Sequence, residues 1–409
     1  MECRKLLLLL KVCNTSQSLT HAKLLHQRII LCGLQDDARI WRRLFHLYFS
    51  SRSYHAAATI LQVAAKFFDI IPWNALVSAY CKNDTQGRAL QLFRKLLENP
   101  FIEPDIFSYP SAVKACGALG MAKIGSSLHG RLVKINLMAD TVIASSISGM
   151  YGNCNLFTEC EHVFDEIPQK DVACWNEVIS SFYHRGRPEQ VLIMFEKMKS
   201  SGFVPSSSTL TTAICACARL ADVKKGMEIH QNLVENGILL DDYITSALVD
   251  LYAKCGFMGK SRDVFELMPF KFIAAWNSVM SGHCHERNYG ECIKLFRRMI
   301  SEGNTPNLTT LCIVLSACSR LSELQTGKVV HGYIVRTTVE VDAFINNVLI
   351  DLYFRCGKVC SAENVFKSLK KSDVACWNVM IHGYVQVGNY SKSLNTYYRM
   401  VAAELNQMQ

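Results

Sequence analysis

Four Trp-Asn pairs, at Trp73, Trp175, Trp276 and Trp377, stand 102, 101 and 101 residues apart. Other residue types keep that beat: Cys13, Cys116, Cys217 and Cys318, and His26, His129, His230 and His331. Tyr151, Tyr252 and Tyr353 do the same, each with a cysteine three places on (Cys154, Cys255, Cys356). Unrelated side chains recurring in one phase mean a chain built of repeats, because each copy must solve the same packing problem. That overrides the ordinary inference from 409 residues, which would be two or three separately closed domains.

Each block divides into units of 35, 35 and 31 residues. Over 172–206, Trp175, Val178, Ile179 and Phe182 fall at i, i+3, i+4 and i+7, one apolar helical face. The stretch His184–Arg187, with Gly186, breaks that helix. Pro188 then suits the first turn of a second helix, where a missing N–H matters least. Val191, Met194, Phe195 and Met198 repeat the spacing, and Gly202 and Pro205 close the unit. The following unit breaks around Ala221–Lys224 and closes at Gly237; the 31-residue one turns at Cys255-Gly256 and ends near Pro269. A lone hairpin cannot bury its apolar face, whereas stacked neighbours bury a continuous one. The expected fold is therefore all-α, a superhelical solenoid in a single array over 1–409, with no linker or second domain.

Composition narrows the chemistry. Half the residues are hydrophobic and 19% are charged, too apolar a mixture for a disordered chain. The formal charge of +9 permits a polyanionic partner without demanding one. Eighteen cysteines in a chain of this length fall short of a disulfide-stapled secreted domain, so reduced intracellular thiols are expected. Leu6–Leu10, flanked by Lys5 and Lys11, is too short to span a bilayer. The in-phase histidines lie about three hairpins apart, too far to share an ion, and no cysteine pair has a partner pair at zinc-finger spacing. No metal, cofactor or catalytic residue is expected. The tryptophans could be imagined as stacking platforms, but their apolar companions place them in the core.

At this point the residues carry a resemblance. The runs WNALVSAY, WNEVISSFY, WNSVMSGH and WNVMIHGY resemble the first helix of plant pentatricopeptide repeats. LYAKCG…VFELMP over 251–269, echoed over 352–366, is similar to that family's short unit, and 216–238 to its long unit. The rhythm resembles the PLS subclass, built of ordinary, long and short units. The resulting register is 3–37, 38–69, 70–105, 106–140, 141–171, 172–206, 207–241, 242–272, 273–307, 308–342, 343–373 and 374–409. The resemblance implies a right-handed α-solenoid of about twelve helix-turn-helix units. It is weakest in 38–69, which lacks the Cys-Gly turn.

The resemblance also implies a ligand, single-stranded RNA, with each ordinary or short unit facing one base. Two side chains read it: a small polar residue early in the first helix and the last residue of the unit. A short amide or hydroxyl can hydrogen-bond a base edge while apolar neighbours sandwich the ring. Carried over, Asn74 with Asp105 implies U, Ser145 with Asp171 implies G, and Asn176 with Ser206 implies C. Asn277 with Asn307 implies a pyrimidine, Asn347 with Asp373 implies U, and Asn378 alone a pyrimidine. Ser246 pairs with Phe272, a departure that leaves its base unassigned, as does Arg42 in 38–69. The long units (Pro110, Thr211, Cys312) are assigned nothing. The implied site is U-n-G-C-n-n-Y-n-U-Y. The same asparagines could instead serve as solvent-facing or first-turn hydrogen-bonding residues.

Relatives often carry a deaminase domain needing H-x-E and C-x-x-C, and neither motif occurs here. The expectation is a non-enzymatic chain lacking the C-terminal E/DYW extension. It would specify C-to-U editing sites for a deaminase-bearing or other editing partner acting in trans, or protect and process organellar transcripts. A protein-binding helical scaffold is the alternative of a different class. Localisation follows the family alone: mitochondrion, with chloroplast as the alternative and no clear transit peptide.

Overall fold

The structure, a computed structural model, describes residues 9–10, 13, 19–32, 37–237, 240–337, 343–369 and 373–405. Every regular element among them is helical. Contacts divide the chain into two compact units, one ending at Thr209 and one beginning at Leu210.

In the first unit, Leu19–Leu31 is followed by Ala38–Ser50 with Tyr54–Val63 and Ile70–Lys82 with Gln86–Leu97. Ser108–Ala118 with Ala122–Lys134, Thr141–Asn153 with Phe157–Glu166 and Val172–His184 with Pro188–Ser200 complete it. First helix packs on first helix: Ile70–Lys82 on Ser108–Ala118, that on Thr141–Asn153, and that on Val172–His184. The second unit repeats the scheme. Asp242–Lys254, Ile273–His285, Leu308–Leu321, Ala343–Arg355 and Val374–Gln386 form its row of first helices. Equivalent residues of successive hairpins thus lie side by side on one face, which is what positions the candidate site.

The period is a packing period. Trp73, Trp175 and Trp276 are fully buried, and Phe164 and Phe265 meet the last two edge-on at 4.6 and 4.8 Å. Such aromatic pairs stabilise beyond their buried area. Trp377 is half-buried against Phe366 at 4.8 Å. Three of the four tryptophans are core residues, as their spacing implied, and the fourth is only partly covered. The histidines pack too, and specifically: Nδ1 of His26, His129, His230 and His331 lies 3.3, 3.0, 2.8 and 2.7 Å from the hydroxyl of Tyr48, Tyr151, Tyr252 and Tyr353. Each pair ties a second helix to the first helix of the following hairpin.

The turns within hairpins need a left-handed residue. Gly186 supplies it at φ +68° and Gly256 at +79°, but Ala221, Arg287 and Ser322 occupy the same place at +54°, +60° and +54°. In 38–69 Arg52 does so at +56°; the missing Cys-Gly turn does not prevent a hairpin there. Among the described residues no helix is long and apolar enough to cross a membrane.

Candidate nucleic-acid interface

The last residue of a unit comes just before the next first helix, and where it is polar its side chain accepts from N–H groups at that helix's start. Asp171 accepts from the Cys174 N–H at 2.8 Å and Asp373 from the Cys376 N–H at 2.8 Å. Asn307 accepts from the Thr310 N–H at 2.9 Å in a reciprocal capping box. Asp105 accepts from the Phe107 and Ser108 N–H groups at 3.1 and 3.0 Å. Four backbone donors per helix start lack partners, and short polar side chains satisfy them. The cap also fixes where these side chains stand.

That place is beside the reading residue of the preceding first helix. Asn74 Nδ2 donates to Asp105 Oδ1 at 2.9 Å, Asn176 Nδ2 to Ser206 Oγ at 3.0 Å, and Asn277 Nδ2 to Asn307 Oδ1 at 3.2 Å. Residues 30 or 31 apart are thus joined at one spot in three hairpins. The other pairs are not joined this way. Ser145 Oγ donates back to the Val142 carbonyl at 3.1 Å, and Asp171 is turned to its cap. Asn347 has a buried Oδ1 with no hydrogen-bond partner, while Asp373 caps. Ser246 and Phe272 line one hollow of about 610 Å³ with Thr211, Tyr243, Asp250 and Ser278. A phenyl ring offers Ser246 no hydrogen bond and leaves its own helix without a side-chain cap. Asn378 is exposed and shares a hollow of about 380 Å³ with Asn347, Asp351 and His382. Cys312 lines a third hollow, and Pro110 lies in the first turn of Ser108–Ala118. Arg42 Nε is bound to the Phe67 carbonyl at 3.1 Å.

Two further sets of residues belong to this face and were not singled out by sequence. Ser108, Thr209 and Thr310 are buried behind the three joined pairs. The Thr310 hydroxyl donates to Asn277 Oδ1 at 2.7 Å, the Thr209 hydroxyl donates to Asn176 Oδ1, and the Ser108 hydroxyl donates to Asp105 Oδ1 at 2.8 Å. They stand 101 residues apart, so the common period was the signal that could have found them. Ile71, Val142, Tyr243 and Phe344, each three residues before a reading residue, are exposed apolar side chains suited to flanking a flat ring.

The carboxylates are charged at neutral pH. Burial pushes Asp105 up, but hydrogen bonds from Ser108, Asn74 and the two backbone N–H groups outweigh it and hold it below the usual carboxylate range. Asp171 and Asp373 are held low by their bonds to Cys174 and Cys376. All three are acceptors only.

A model described as the PPR repeat family matches residues 170–219 and 272–320, and one described as the PPR repeat matches 71–101, 243–271, 347–374 and 375–405. Together they cover just over half of the sequence. The chain belongs to the pentatricopeptide-repeat family. A pentatricopeptide repeat-containing protein of Arabidopsis thaliana is 43% identical to it over 98% of this chain and 58% of its own length. A chloroplastic one from the same plant is 28% identical over 97% and 45%, and a mitochondrial one 28% identical over 96% and 71%. This pentatricopeptide-repeat chain spans 58%, 45% and 64% of the first three curated relatives it matches. Among solved structures, the pentatricopeptide repeat protein PPR10 in complex with an 18-nt psaJ RNA element superposes with a TM-score of 0.72. It is 18% identical, over 94% of this chain and 61% of that one, a likeness of fold.

Proposed function

We propose that this chain binds single-stranded RNA with one base facing each ordinary or short unit. The observation that carries the reading is the hydrogen-bonded pair, Asn74–Asp105, Asn176–Ser206 and Asn277–Asn307, repeated at one place on every third hairpin. Side chains held only for capping would not need a second polar residue aimed at them from another helix. The chemistry fits base edges. An acceptor-only carboxylate at Asp105, Asp171 or Asp373 suits a base with a ring N–H, U or G, and rejects C, whose N3 is an acceptor. Ser206 is uncharged and carries no such bar against C. The structural neighbour PPR10, solved with an RNA element, supports the ligand class.

All twelve units form one array of the PLS subclass, and the preferred site is U-n-G-C-n-n-Y-n-U-Y. The chain acts in an organelle, mitochondrion before chloroplast, since curated relatives are named for both. It selects C-to-U editing sites for an enzyme in trans, with transcript protection or processing as the alternative role. Selection from a random RNA pool on purified protein tests the binding. Enrichment of that site supports it, a different motif overturns the residue assignments, and no enrichment by folded protein overturns RNA binding. Loss of the gene with an unedited cytidine just downstream of such a site separates editing from protection, which would instead lose the transcript.

A further inference from the structure

We infer that Thr209 and Thr310 are positioning residues that set which end of the reading asparagine meets the base; this rests on the RNA reading above. A side-chain amide can turn by half a rotation at little cost, exchanging a donor for an acceptor. Something must hold it if an asparagine is to read.

In the Asn176 pair the partner cannot do so, because the Ser206 hydroxyl both donates and accepts. The Thr209 hydroxyl, on a residue 1% exposed, has one proton and gives it to Asn176 Oδ1. Ser206 Oγ lies 2.8 Å from Thr209 Oγ1 and accepts from Asn176 Nδ2 at 3.0 Å. With the Thr209 proton committed, Ser206 donates to Thr209 and the three groups close a ring. The Asn176 carbonyl is turned inward, and its second N–H is left for a base acceptor such as the O2 of a pyrimidine. Thr310 repeats the contact with Asn277 at 2.7 Å. There the Asn307 Oδ1, fixed by the Thr310 N–H at 2.9 Å, shares the orienting task.

The Asn74 pair is the internal contrast. Asp105 can only accept, so it alone forces the Asn74 N–H toward itself. Ser108 donates to Asp105 rather than to Asn74, whose buried Oδ1 has no partner. The hydroxyl is therefore dispensable for reading where the terminal residue is acidic and needed where it is a hydroxyl.

The test measures affinities of the full chain for RNAs carrying each of the four bases opposite Asn176, and separately opposite Asn74. Thr209→Val keeps the shape and deletes the donor. It is expected to reduce the preference for pyrimidines over purines opposite Asn176 by about tenfold, the scale of one mismatched contact. Preference opposite Asn74 stays unchanged, and Thr209→Ser restores what was lost. Ser108→Ala leaves both preferences intact. Equal weakening for all four bases by Thr209→Val, no change at all, or an equal collapse caused by Ser108→Ala would overturn the assignment. If Thr209→Val fails to fold, Thr310→Val carries the same comparison, opposite Asn277, with a smaller drop expected and the same overturning results. Wild-type protein that binds RNA without preference at either position refutes base reading itself, which is a different failure from a preference that survives Thr209→Val.

Discussion

Asp105, Ser206 and Asn307 each carry two tasks, satisfying a helix start and meeting an asparagine from the hairpin before. Asp171→Ala should therefore lose a cap, about 1 kcal/mol of stability by thermal or urea melting. It should also lose discrimination for its base, roughly 1–3 kcal/mol by competition binding. Asp171→Asn, which still caps, should keep the stability and lose only discrimination. Titration behaves oppositely for acids and histidines in pH range. Asp105, Asp171 and Asp373 have folded pKa values below the unfolded one. Their stabilisation is full above that unfolded value and is lost only as pH falls through the folded one, well below neutrality. Burial lowers His26, His129, His230 and His331, with Lys260 adding to the effect at His230 and Glu166 opposing it at His129. The unfolded state then binds more protons between the folded pKa and the ordinary value of about 6.5, so stability falls as pH drops through that window. A melting temperature that does not fall between about pH 7.5 and pH 5.5, or a slope unaltered by replacing all four histidines, would refute this account.

At the scale of the hairpin, the demand for a left-handed residue in the turn is met unevenly. Ala221 and Arg287 sit where Gly186 and Gly256 sit elsewhere, and a β-carbon there costs about 1–2 kcal/mol, partly offset because glycine is freer in the unfolded chain. Ala221→Gly and Arg287→Gly should each raise the urea midpoint by a fraction of that cost, and Gly256→Val should lower it. A different glycine does a packing job. In Gly226 a β-carbon would lie 2.2 Å from Leu251 Cδ2, and Gly125 and Gly327 face Met150 and Leu352 in the same way. Gly226→Val should cost about 1–3 kcal/mol or more through overpacking between adjacent hairpins, and pairing it with Leu251→Ala should recover part of the loss. Helix positions and turns were legible because they depend on neighbours in sequence. The glycine contacts were not, because they depend on how closely one hairpin lies on the next.

For the whole chain, a formal charge of +9 and a partner carrying one phosphate per nucleotide make salt the decisive variable. Binding should weaken steeply between about 50 and 200 mM salt, with the slope of log affinity against log salt reporting the phosphates neutralised, about 0.7 per contact for a single strand. A flat response would mean that the chain does not bind along an RNA backbone. Deleting one unit, such as 141–171, should remove one nucleotide from the selected site and leave the flanking preferences in order, since stacked repeats contribute almost independently. Selection of an unchanged motif by that deletion variant would refute the one-unit, one-base register.

The amino-acid order alone determined the repeat, the helical hairpins, their turns and the burial of Trp73, Trp175 and Trp276, because periodic apolar residues and helix-ending residues act over a few positions. It also marked Asn74, Asn176 and Asn277 as candidates, since polar residues beside a core tryptophan in every block need a reason. Only tertiary structure decided that their partners meet them, as at Asp105, Ser206 and Asn307, while Ser145 and Asp171 stay unjoined. It alone paired His230 with Tyr252 and put Thr209 behind Asn176. Those contacts bridge 22 to 33 residues, and a hydrogen bond exists or fails within a few tenths of an ångström, set by how neighbouring helices stack and by no residue taken singly.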